Sequence, residues 1–218
     1  MNETLSLIKR YKTHGEFAWM LASYFLYLSM KSFKEVTYLD SDLFFYQDPE
    51  LVFQEIGDKS VAIVSHNFPE HDFARLSKNG LYNVSWVTFR EDTLAREILA
   101  QWASDCLKNC SIESAGDQKY LDIWPERLGE KLYILNGKRY GAGPWNAYTY
   151  DVQQIAGAPE FDHDSLVFFH FHEHWRGNTH IRTGYPLTER LIEYVYKPYE
   201  AVLTNFLEKI ASQTERRS

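Results

Sequence analysis

The stretch Glu35–Pro49, EVTYLDSDLFFYQDP, constrains the fold more than any other part of the chain. An apolar run, Val36 to Leu39, stops at Asp40-Ser41-Asp42, and a second, Leu43 to Tyr46, follows at once. Asp48 and Pro49 then suit the N-cap and first position of a helix. Two carboxylates one residue apart therefore interrupt sequence that belongs in a core. A buried carboxylate without a partner is costly, so such groups are paired, hydrogen-bonded or on a metal. A divalent ion with hard oxygen ligands, Mn²⁺ or Mg²⁺, neutralises both. An ion held by so few side chains keeps positions open for substrate phosphates. A turn is the plain alternative, since Asp is common in turns. The place of the pair, after VTYL and before LFF, points to a metal–diphosphate site at the end of a buried strand.

Around this stretch the pattern alternates between strands and helices. Residues 1–12 begin a helix or a frayed end, and 16–32 read as a helix buried nearly all round. Residues 35–39 form a strand, and LFFY is either a short second strand or an extended linker. SVAIVS, 60–65, is a continuous apolar run of the kind buried on both faces. Residues 66–80 read as a surface loop that leaves His66 and His71 exposed. LYNVSWVTFR, 81–90, is extended, and 91–110 carries the clearest helical stripe, with Leu94, Ile98, Trp102 and Cys106 on one face. Asp117 opens a short helix ending before Pro125. LYILN, 132–136, and SLVFFHFHEHW, 165–175, are strands. The region 187–212 is helical around Pro198. Strands alternating with helices indicate one α/β domain over residues 1–218 with a mostly parallel sheet.

Composition excludes several classes. A net charge of −7 over 218 residues gives no basic surface for nucleic acid. The only cysteines, Cys106 and Cys110, are neither a disulfide framework nor a zinc knuckle, and two reduced thiols suit a reducing cytoplasm. Phe17–Met30 is apolar but spans 14 residues, short of the ~20 that cross a bilayer. No transmembrane span is expected.

Four further groups carry chemistry. On a strand, His170, His172 and His174 share one face, and imidazole is the commonest metal ligand. One of them joins Asp40 and Asp42 on the metal, and another contacts phosphate. Asp117-Gln118 sits at a loop-to-helix junction, where it either contacts a sugar and the reacting carbon or caps the helix. Gly141, Gly143 and Pro144 with Trp145-Asn146 form a tight turn where backbone approaches a ligand, and Trp145 is placed to stack on a sugar ring. Asn83 is polar within an extended apolar run and bonds either a ligand or its own backbone.

Taken in order, YLDSDLFFYQDPELVF, YNVSWVTFR, GDQKYLD, GPWN and VFFHFHEH resemble the metal-dependent glycosyltransferases of the GT-A fold. The likeness is to nucleotide-diphosphosugar transferases of the bacterial surface-polysaccharide type and, more distantly, to glycogenin and galactosyltransferase-like enzymes. It implies a three-layer fold with a mostly parallel mixed sheet and C-terminal helices. It implies Mn²⁺ or Mg²⁺ on Asp40, Asp42 and His170, a donor pocket using Asp40, Ser41, Asp42, Asn83, Trp145 and His172, and Asp117 and Gln118 at the reacting centre. The partners it implies are a nucleotide-diphosphosugar donor and a carbohydrate or glycoconjugate acceptor, in the cytoplasm or at the inner face of the membrane. Two departures accompany it. Glu173 stands where the family motif H-F-x-G has glycine, and only one strand precedes Asp40, where the family has further βα units. The sheet edge this leaves favours a homo-oligomer. The competing readings are a metal-dependent hydrolase built on His170–His174 and a non-catalytic domain that binds carbohydrate or a partner.

Overall fold

A computed structural model describes residues 12–111, 113, 116–176 and 181–215. The expected helix or frayed end at the N-terminus thus lies almost wholly outside the described residues. In chain order the helices are α1 (His14–Ser29), α2 (Glu50–Ile56), α3 (Ala74–Asn79), α4 (Thr93–Lys108), α5 (Trp124–Leu128), α6 (Glu189–Leu191) and α7 (Lys197–Glu215). The strands are β1 (Glu35–Leu39), β2 (Leu43–Phe45), β3 (Val61–Ser65), β4 (Tyr82–Arg90), β5 (Leu132–Leu135), β6 (Val152–Ile155), β7 (Ala158–Phe161), β8 (Asp164–Ser165), β9 (Phe168–His170), β10 (Trp175–Arg176) and β11 (Ile181–Arg182). They fall into two compact units. Unit 1 comprises residues up to Ser41 and Val52–Gly137; unit 2 comprises Asp42–Leu51 and everything from Lys138 onward. The chain leaves unit 1 between Ser41 and Asp42, within the D-S-D run itself.

Unit 1 is a mixed α/β layer built on a sheet of order β1-β4-β3-β5. The expected parallel pairing holds for one ladder, β3 with β5; β4 runs antiparallel to both β1 and β3. The sequence reads the same either way, because a strand buried on both faces has an unbroken apolar run whatever its direction. One face buries Val61, Ile63, Val87 and Phe89 against Met20 and Leu26 of α1 and Ile98, Leu99, Trp102 and Cys106 of α4. Phe89, Trp102 and Trp124 meet edge to face or stacked there, at 5.3–6.5 Å between ring centroids. On the other face Trp86 packs on Phe53, 5.2 Å away, beside buried Val52 and Ile56 of α2.

Both long helices of this unit carry side-chain N-caps. Thr13 and Glu16 form a reciprocal capping box at α1, and Asp92 accepts from the Ala95 N–H at α4. The expectation that the first helix is buried all round fails. Met20, Ala22, Ser23 and Leu26 are buried, whereas Trp19, Phe25 and Leu28 keep exposed surface. The 66–80 stretch is also more ordered than a loop, since it contains α3. His66 is buried, with Nδ1 3.0 Å from the Gly80 carbonyl and its ring stacked on Phe68, whereas His71 is exposed. Hydrogen bonding of Cys106 with Cys110, together with burial, pushes the Cys106 thiol up, far from a reactive thiolate.

Unit 2 pairs β2 antiparallel with β9 and carries a β6-β7-β8 meander. Its core joins Phe161, Phe169 and Phe171 to Leu191, Val195 and Tyr196. The C-terminal helices run almost continuously past Pro198, because residues 192–196 open into a π-turn just before it. Proline lacks the N–H that an α-helical ladder needs, and a widened turn accommodates that loss. Along α7 the apolar residues Val202, Phe206, Leu207 and Ile210 are exposed. Among the described residues no helix is long and apolar enough to cross a membrane.

The meander was not legible in the sequence. Its first turn has Ala156 at φ 50° and Gly157 at φ 89°, the left-handed pair that a two-residue I′ hairpin needs. An alanine there carries a steric cost of about 1 kcal/mol. Ala156→Asn is expected to raise the melting temperature by about 2–4 °C, read by thermal denaturation. An unchanged or lowered midpoint would count against that turn geometry.

Candidate metal centre

The D-S-D run leaves β1 where β4 is irregular. The register between β3 and β4 jumps from Ile63–Val87 to Val64–Asn83, so β4 bulges over Val84–Trp86. A bulge bends a strand and re-aims its side chains, and bulges gather beside functional sites. Here Asn83 Oδ1 accepts the Ser85 N–H at 2.7 Å, and the Ser85 carbonyl accepts the Asp40 N–H at 3.0 Å. Asn83 is thus tied at least in part to its own backbone. Tyr38 Oη donates to Asp40 Oδ1 at 2.7 Å. Sequence reasoning missed this partner, although strand alternation places residues 38 and 40 on one face. Ser41 is exposed in the turn.

Also in unit 1, Asp117 precedes a 3₁₀ turn over Gln118–Ile123; its carboxyl meets the backbone N–H groups of Asp117 and Gln118 but caps no later residue of that turn. Its carbonyl accepts the Trp102 indole N–H at 3.0 Å, and the residue is 6% exposed. Burial, reinforced by the negative charge of Asp40, pushes the Asp117 carboxyl up to about 8. Burial thus favours its protonated form, against the backbone N–H bonds that favour the charged one. Gln118 beside it is partly exposed.

In unit 2 the β2/β9 ladder pairs Leu43 with His170, and the Phe171 N–H extends it to the Asp42 carbonyl at 2.8 Å. This pairing brings Asp42 and His170, 128 positions apart in the chain, side by side: His170 Nε2 lies 3.1 Å from Asp42 Oδ1. Burial opposes the charge on Asp42, but the hydrogen bond and positive field of His170, aided by His172, hold its carboxyl below the usual range. Ligand atoms of Asp42, His170 and His172 all lie within 4.8 Å of one another, a spacing compatible with a shared metal ion.

The expectation of three histidines on one strand face is corrected here. Extended geometry ends at His170, and Glu173 adopts φ 56°, which turns the chain. His172 stays beside His170, with ring centroids 5.7 Å apart, while His174 goes elsewhere. His174 packs among Phe171, Tyr196 and Tyr199, with Nε2 3.4 Å from Glu200. The left-handed φ at Glu173 is the conformation that glycine adopts most readily.

The loop 141–147 supports the cluster. Asn146, fully buried, accepts the Gly143 N–H at 3.1 Å and donates to the Gly141 carbonyl at 2.8 Å. Trp145 is 4% exposed and stands edge-on to His170 and His172, at 5.4 and 6.1 Å. A Cβ on Gly143 would lie 2.4 Å from the Trp145 ring. The indole expected to stack on a sugar is thus occupied by the two imidazoles and the Gly143 backbone.

No protein-family model matches the chain. The chain is 27% identical over 228 residues to the uncharacterized protein YfnD of Bacillus subtilis (strain 168), covering 94% of this chain and 70% of that protein. It is 30% identical over 184 residues to the uncharacterized protein YfnF of the same organism, covering 78% of this chain and 60% of that protein. Among solved structures, the apo form of mouse xyloside xylosyltransferase 1 overlaps with a TM-score of 0.42 at 13% identity, covering 74% of this chain and 66% of that one. At that similarity the overlay adds nothing to an assignment of function.

Proposed function

We propose that the chain is a metal-dependent glycosyltransferase that moves a sugar from a nucleotide-diphosphosugar to an acceptor hydroxyl, in surface-polysaccharide or glycoconjugate synthesis. The observation that supports this most is the 3.1 Å approach of Asp42 and His170. The sequence resemblance required the D-S-D run to meet the histidine run, and a turn-forming role for Asp42 does not require it. Asp42 and His170 hold a divalent ion, with Asp40 as the neighbouring carboxylate of the motif. Such an ion stabilises the charge that develops on a leaving diphosphate. Ser41 and Asn83 are assigned to donor binding, and Asp117 and Gln118 to the reacting carbon. We assign the chain to the cytoplasm on the strength of its reduced cysteines.

The test is thermal denaturation with UDP, GDP, CDP or dTDP, each with and without Mn²⁺. A ligand that binds only the native state stabilises it by about 2.7 kcal/mol at a hundredfold excess over Kd, about 5–10 °C for a chain of this size. One nucleotide is expected to give that shift only with Mn²⁺, and Asp42→Ala is expected to abolish it. No shift with any nucleotide would refute the reading. Stabilisation by Mn²⁺ alone, with turnover of an ester in water, would favour the hydrolase, which the two-histidine cluster also suits.

A further inference from the structure

The carboxylate of Asp42 has two imidazoles around it, and the second is not one that the sequence motif supplies as a metal ligand. We propose that His172 is the third protein ligand of the metal, making a one-carboxylate, two-imidazole site that selects first-row transition ions over Mg²⁺. This rests on the metal site of the proposed transferase but concerns its donor set alone.

Three features support it. The ligand atoms of Asp42, His170 and His172 lie within 4.8 Å of one another, and all three residues belong to unit 2. The local backbone agrees with this: β9 ends at His170, His172 keeps its ring 5.7 Å from that of His170, and the chain turns left-handed only after it, at Glu173. Trp145 stands edge-on to both rings and limits their movement. His170 is nearly buried while the His172 side chain is 45% exposed, so the cluster has a closed side and an open side. Three protein ligands would leave positions on such an ion for water or phosphate oxygens.

The donor chemistry then decides the metal. Mg²⁺ favours oxygen ligands in a near-ideal octahedron and sheds its water reluctantly. Imidazole nitrogen suits Zn²⁺, Co²⁺, Ni²⁺ and Fe²⁺, and affinity for a mixed N/O set rises from Mn²⁺ towards Cu²⁺. Replacing one oxygen ligand by a second nitrogen therefore shifts preference away from Mg²⁺.

Calorimetric titration of the metal-free chain with Co²⁺, alone and in a hundredfold excess of Mg²⁺, tests this without any nucleotide or turnover. Co²⁺ is expected to bind once per chain and to resist the Mg²⁺. His172→Ala is expected to weaken Co²⁺ at least tenfold and to blue- or red-shift its visible d–d bands, whereas Asp40→Asn weakens it less. Melting curves of the metal-free variants, equal to that of the parent, exclude misfolding as the cause. Displacement of Co²⁺ by an equal concentration of Mg²⁺ would overturn the proposal. So would His172→Ala with parental affinity, or Asp40→Asn costing more than His172→Ala. Co²⁺ binding as described with no nucleotide shift would refute the transferase and leave this site standing. A Mn²⁺-dependent nucleotide shift that survives in His172→Ala would do the reverse.

Discussion

Gly143→Ala is expected to destabilise the protein by about 3 kcal/mol, more than ordinary overpacking of a single methyl. The added Cβ would sit 2.4 Å from the Trp145 ring, well inside van der Waals contact. The ring has little freedom to yield, because it is 4% exposed and bordered by both imidazoles. The backbone has little freedom either, since Asn146 bonds to both Gly141 and Gly143. The indole must therefore leave its place, and the edge-on support of His170 and His172 goes with it. Urea denaturation measures the loss. A double-mutant cycle identifies its cause: in a Trp145→Ala background the clash partner is gone, so adding Gly143→Ala should cost nearly nothing. Additive losses in the cycle would show that the glycine serves some other purpose. Co²⁺ affinity is expected to fall in Gly143→Ala as well, because the ring that borders both candidate ligands has moved.

The glycine was visible in the sequence, but its reason was not. G-A-G-P-W-N announces a tight turn, and a turn next to a Trp suggests a ligand platform. Only coordinates show the indole folding back onto the glycine two residues earlier. His170 was legible through the family resemblance, while the residues alone left His170, His172 and His174 open; β2 and β9 bring His170 to Asp42 by ordinary ladder pairing. The face shared by three histidines failed because strand alternation holds only while the strand lasts, and the strand ends at His170. Nothing in the H-E-H spacing signals the left-handed turn at Glu173, since glutamate rarely adopts it. The helix with the clearest stripe was read well, as at 91–110, where α4 forms. Strand direction in the sheet was not legible, because burial on both faces leaves no periodicity to read. The β6-β7-β8 meander escaped for a related reason: Ala156-Gly157 and Asp162-His163 lack the usual Asn-Gly signature, though all four adopt positive φ.

Asp117 gives the second large effect, and its sign follows from the direction of its shift. Burial first, and the charge of Asp40 second, push its carboxyl up to about 8 in the folded chain. In the unfolded chain the group ionises near 4. Between those values the native state holds a proton that the unfolded state has released. The contribution of Asp117 to stability is thus complete below about pH 4 and is lost as pH rises towards 8, by at most about 1.4 kcal/mol per pH unit. Asp117→Asn keeps the shape and removes the titration. In EDTA, the stability of the variant relative to the parent should rise by on the order of 3 kcal/mol between pH 5 and pH 8, read from urea midpoints at each pH. Asp40→Asn removes the second cause and leaves burial, so its curve should turn flat at a lower pH than that of the parent. Parallel parent and Asp117→Asn curves would mean that Asp117 is already ionised at pH 5, and that a partner inside the fold outweighs its burial.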